Sequence, residues 1–126
     1  MKSFTDLEQS RKLAEILPLE SADMCYIKGK AHLGFLYEEY KELGDSVLQE
    51  YEPCWSLTSL YSILPNNKEK STDLTRGGWD MDPLEYNDKW WCEYEGESEE
   101  RVSITADNPI DACYEMIVKL HKMNLL

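Results

Sequence analysis

The chain has 126 residues, 42% of them hydrophobic, which suits a single domain over residues 1–126 with one core. Its 25 acidic and 13 basic residues give a net charge of −12, which disfavours direct binding to a nucleic-acid backbone. No apolar run approaches the ~20 residues that cross a bilayer, and the opening Met1-Lys2-Ser3-Phe4-Thr5-Asp6 has no signal-peptide core, so the expected setting is cytoplasmic, with no membrane partner.

Thr5-Asp6-Leu7-Glu8 matches the S/T-x-x-E capping box and predicts a first helix. Leu7, Leu13, Ala14, Ile16 and Leu17 supply its apolar stripe, and Pro18 stops it. Ser21-Ala22-Asp23 reads as a turn. Met24-Cys25-Tyr26-Ile27 is a short β-prone run that predicts a strand, ended by Lys28-Gly29-Lys30. Leu33, Leu36, Tyr37, Tyr40 and Leu43 have helical spacing, with Gly44 suited to the C-terminal cap.

Pro53-Cys54-Trp55 leads into Ser56, a predicted N-cap. Leu57, Leu60, Tyr61 and Leu64 follow at i, i+3, i+4 and i+7, and Pro65 ends a helix of about two turns. Such a helix has to dock on a core, and Trp55 is its predicted anchor. Asn66 to Lys89 shows no periodicity and many turn formers, so it reads as a long loop that is either functional or partly disordered.

The last third is the most legible. Trp90, Cys92 and Tyr94 alternate with Trp91 and Glu93, and Val102, Ile104 and Ala106 alternate with polar residues. The polar segment Glu95–Glu100 between them predicts a hairpin over Trp90–Ala106. Asn108 as N-cap, Pro109 at the first helical position and Asp111 in the first turn start a helix. Ile110, Cys113, Tyr114, Ile117 and Leu120 form its predicted buried face, and Glu115 is placed to pair with Lys119. The expected fold class is α+β: a small antiparallel sheet with a C-terminal hairpin, packed by three or four helices.

Three stretches carry a resemblance. They are Leu7-Glu8-Gln9-Ser10-Arg11-Lys12-Leu13 with Ser21-Ala22-Asp23-Met24, then Pro53-Cys54-Trp55-Ser56-Leu57 running to Leu64-Pro65, then Asn108-Pro109-Ile110-Asp111-Ala112-Cys113-Tyr114-Glu115-Met116-Ile117. In that order they resemble a family of small uncharacterised proteins of Bacteroides-type gut bacteria, their prophages and mobile elements. The resemblance implies a prokaryotic or phage origin and an intracellular setting. It implies no activity, cofactor or catalytic residue.

The residues themselves point to no reaction. Cys25, Cys54, Cys92 and Cys113 are far apart, form no CxxC pair, and read as buried free thiols. Only His32 and His121 exist, neither at finger-like spacing from a cysteine. Cys54 is the one candidate nucleophile, with no base selected for it. Asp80 and Asp82, near Glu85 and Asp88, offer oxygen ligands but no EF-hand pattern. Gly77-Gly78 lacks the Lys-Ser/Thr of a phosphate loop. No metal, cofactor or catalytic residue is therefore assigned, and an enzyme is the less favoured reading.

Trp79, Tyr86, Trp90 and Trp91 cluster in sequence, and Trp91 shares a face with Glu93, away from the helix. Either the long loop covers Trp91 or it stands exposed at an interface, where aromatics are enriched. The expected function is a small acidic interaction protein, phage- or mobile-element-associated. Its expected binding residues are Trp79, Trp91, Glu93, Glu95, Glu97, Glu99 and Glu100, and its expected partner a basic protein. Three alternatives stay open: a nucleic-acid mimic inhibiting a DNA-binding protein, a small hydrolase using acidic residues of loop 66–89, and homodimerisation through the aromatic patch.

Overall fold

The computed structural model describes residues 2–27, 30–33, 51–76 and 89–126. In chain order these form α1 (Leu7–Ile16), a single 3-10 turn (Leu19–Ser21), β1 (Met24–Ile27), β2 (Lys30–Leu33), β3 (Tyr51–Cys54), α2 (Leu57–Ile63), β4 (Ser71–Arg76), β5 (Trp90–Glu95), β6 (Arg101–Ala106) and α3 (Pro109–Lys122). The fold is α+β. It has two antiparallel three-stranded sheets, ordered β2-β1-β3 and β4-β5-β6, where the sequence suggested one. The predicted hairpin is present as β5–β6, but the last element of the chain is the helix α3.

The N-terminal sheet corrects several expectations. Tyr51–Cys54 forms an unexpected strand that leads into the predicted Ser56 cap of α2, and Pro53 is tolerated because β3 lies at the sheet edge. Leu33, the predicted start of a helix, closes β2 instead; the rest of that helix, to Leu43, lies outside the described residues.

The capping box of α1 sits one residue later than the sequence suggested. Asp6 is the N-cap: its Oδ1 accepts from the Gln9 amide at 2.8 Å, and Gln9 Oε1 accepts from the Asp6 amide at 3.2 Å. Thr5 is needed elsewhere. Its buried hydroxyl lies 2.8 Å from the Ser10 hydroxyl and accepts from the Trp55 amide at 3.1 Å. Its carbonyl accepts from Tyr26 Oη at 2.7 Å. Thr5 thus ties the chain's start to α1, β1 and the approach to α2.

The segment from Asn66 to Lys89 is not structureless. Ser71–Arg76 pairs along its whole length with β5, from Ser71↔Glu95 to Arg76↔Trp90. Thr72 is buried and Leu74 packs on the core, while Asp73 and Thr75 face out. With one aliphatic residue among six, the strand has period two but little hydrophobic signal.

One core joins both ends of the chain. Leu13 and Leu17 from α1, Trp55, Leu60 from α2, Tyr94 and Val102 from the C-terminal sheet, and Ile110 and Ile117 from α3 all belong to it. Trp55 is fully buried, and its indole donates to Ser21 Oγ at 2.9 Å. That satisfies the one polar atom of a large anchor.

Asn108 caps α3 by accepting from the Asp111 amide at 2.8 Å, with Pro109 in the first turn. Ala112 and Met116 join the buried face, and Tyr114 is only half-buried. The reason is that α3 packs on β5 and β6 and also on α1 and α2, so it buries a wide arc rather than a stripe. Each large apolar side chain buried there contributes about 1.5–3 kcal/mol before entropy is counted. Asn124, at φ 58°, ends the helix in the left-handed region, and the Leu125 amide returns to the Leu120 carbonyl at 2.9 Å.

Candidate functional site

The site is the outer face of the C-terminal sheet. On β5, strand alternation sends Cys92 and Tyr94 into the core and leaves Trp91, Glu93 and Glu95 on the other side. Cross-strand register then builds three rows on that outer face. Thr75, Trp91 and Thr105 form the first, Asp73, Glu93 and Ser103 the second, and Ser71, Glu95 and Arg101 the third. The second and third rows line a shallow depression of about 270 Å³.

Charge is distributed unevenly across these rows. Glu95 is paired, its Oε1 accepting from Arg101 Nη2 at 3.1 Å. Both side chains are exposed, so the pair is worth at most about 1 kcal/mol and exchanges readily. Asp73 and Glu93 are both exposed and stand directly opposite one another, with neutral Ser103 on the far side of Glu93. Like charges in that position destabilise a sheet, by roughly 0.2–1 kcal/mol.

The structure divides the residues singled out in the sequence. Glu93, Glu95 and Trp91 do share a face. Trp91 is half-buried there, neither a core side chain nor a freely exposed one. Glu97 and Glu99 are exposed at the hairpin tip, with Glu99 in the left-handed region at φ 66°. Glu100 serves the turn: half-buried, its Oε2 accepts from the Ser98 amide at 3.0 Å, and its carbonyl accepts from the Gly96 amide at 2.8 Å. A Cβ at Gly96 would crowd Glu100 Oε2 and lie 2.9 Å from Tyr94 Oη, so a side chain there would push the Glu100 carboxylate off the Ser98 amide. Trp79 lies outside the described residues.

Asp73, Ser71, Arg101 and Ser103 escaped the sequence reading. Asp73 and Ser71 were lost with β4. The signal that could have found them is the alternation of Thr72 and Leu74 with Ser71, Asp73 and Thr75, rich in β-branched threonine.

Among the described residues no three histidines, cysteines or carboxylates are placed to hold a metal ion. Asp80, Asp82, Glu85 and Asp88 lie outside the described residues. Cys54 is fully buried, and that burial pushes its thiol up, away from the reactive thiolate. Where α2 meets β4, Leu57, Tyr61 and Leu74 line an apolar groove of about 490 Å³, and Tyr61 Oη donates to the Thr72 carbonyl at 3.2 Å.

Comparison with known proteins returns no match among family models, curated proteins or solved structures. Among the described residues, no helix is long and apolar enough to cross a membrane.

Proposed function

We propose that this protein is a binding protein that receives a basic partner on the outer face of its C-terminal sheet. The observation that carries the reading is the Asp73–Glu93 juxtaposition. Two exposed carboxylates face each other across strands with a neutral residue beyond them, an arrangement that costs stability and that an incoming cation relieves. A lysine or arginine in the 270 Å³ depression would meet both carboxylates at once and could also compete with Arg101 for Glu95. Half-buried Trp91 in the adjacent row supplies an apolar border, as aromatics do at interfaces. Complementary charge of this kind acts chiefly on association rate and specificity.

The test compares wild type with the Asp73→Asn, Glu93→Gln double variant as bait in a nuclease-treated bacterial lysate, at low and high salt. Basic proteins retained by wild type at low salt, lost at high salt and lost by the variant are the expected result. Equal retention by both baits overturns the reading. A retained DNA-binding protein that duplex DNA displaces would narrow it to nucleic-acid mimicry.

A further inference from the structure

All four cysteines are free and fully buried, and the binding face uses none of them. Four cysteines allow three connectivities, and sequence alone does not choose among them. The fold does. Cys25 and Cys54 stand on neighbouring strands but one residue out of register: Cys25 is opposite Pro53, and Cys54 is opposite Met24. An offset of one puts two side chains on opposite faces of a sheet. Cys54 packs with Met24 and Tyr26, so Cys25 is turned to the other side.

Cys92 and Cys113 are differently placed. Cys92 points from the inner face of β5 toward α3, and Cys113 lies on the buried side of α3. Both belong to the same core cluster. Both side chains are fully buried where α3 packs directly on β5, and Cys113 beside it, together with burial, raises the Cys92 thiol far above its usual range.

We propose that Cys92 and Cys113 are a redox-responsive pair that closes to a disulfide, fastening α3 to β5. The oxidant is a low-molecular-weight disulfide. One protein thiolate attacks a sulfur of that disulfide, whose S–S bond breaks and releases one thiol. The second protein thiolate attacks the mixed disulfide, forms the Cys92–Cys113 bond and releases the second thiol. Two electrons pass to the oxidant, and the two protein thiol protons end on the released thiols. While the fold is closed, burial and the scarcity of thiolate protect the reduced pair. Oxidation therefore proceeds during folding or when α3 opens from the sheet, and its rate reports that opening. The new bond closes the stretch from β5 through the hairpin to α3, which stabilises the unit that carries the acidic face.

The experiment refolds the full chain in glutathione buffers of increasing oxidised-to-reduced ratio, followed by intact mass and peptide mapping. The expected product has lost two hydrogens, yields a linked Cys92–Cys113 peptide, and has a thermal midpoint several degrees higher. Dithiothreitol reverses all three. Cys25→Ala keeps the linkage; Cys92→Ala and Cys113→Ala abolish it. Linked peptides containing Cys25 or Cys54, four thiols still reduced at the most oxidising ratio, or an oxidised form that melts below the reduced one would each overturn the proposal.

Discussion

Around the N-terminal sheet a set of buried polar groups is bonded together, whereas the core around the C-terminal sheet is largely apolar. Thr5, Ser10, Tyr26 and Cys54 form a hydroxyl and thiol network beneath β1 and β3, closed onto the Trp55 backbone. Beneath β5 and β6 lie Cys92, Tyr94, Val102, Ile110, Met116 and Ile117, held by area and shape. A hydrogen-bonded interior is directional and penalises any missing partner. An apolar interior is governed by volume. The two halves should therefore respond to different kinds of substitution.

The largest effect is expected in the apolar half. Ile117 is fully buried where α3 packs on the sheet, so Ile117→Ala removes transfer energy and leaves a cavity. A loss of about 2–5 kcal/mol in a denaturant titration is expected. A loss under 1 kcal/mol would mean that α3 does not carry this core.

Next is the bonded half. Thr5→Val keeps the shape but deletes the hydroxyl, leaving the Trp55 amide and the Ser10 hydroxyl without it. A loss of about 1–3 kcal/mol follows, although the change adds apolar surface. If Thr5→Val were neutral, the network would be incidental and the contrast between the halves would fail.

This contrast also decides what could be read from the sequence. The hairpin, the α3 cap and the docked α2 were legible because apolar periodicity and capping residues are local signals, carried by residues such as Val102, Ile110 and Asn108. The Thr5 network was not legible. Thr5 looked like an ordinary N-cap, and only the return of β3 fifty residues later gives its hydroxyl a different partner. β4 was hidden because Thr72 and Leu74 face a core already crowded with large side chains, so the strand needs few of its own. Half of the candidate site went with it: Glu93 was visible, and its opposite number Asp73 was not.

A third substitution inverts the sign of the second. Tyr94 is buried in the apolar half, and its hydroxyl has no hydrogen-bond partner among the described residues. Tyr94→Phe removes an unsatisfied polar atom, so stability should rise by about 1 kcal/mol. Thermal or chemical denaturation of the two variants side by side tests the comparison directly. Destabilisation by both would show that Tyr94 is bonded in solution and that the C-terminal core is less apolar than its geometry indicates.

The smallest effect separates stability from binding on a single surface. Asp73→Asn with Glu93→Gln keeps side-chain size and removes the opposed charges on the outer face. If that pair serves the fold, the variant should be less stable. Opposed like charges instead cost about 0.2–1 kcal/mol, so the variant should be slightly more stable, and the gain should shrink as salt screens the repulsion. An increase in the unfolding midpoint at low salt, fading at high salt, together with lost retention of basic proteins, would mark the pair as a feature kept for binding at the expense of stability. A variant that is less stable at low salt would place Asp73 and Glu93 among the groups that hold the sheet together, and the acidic face would lose its claim to be a site.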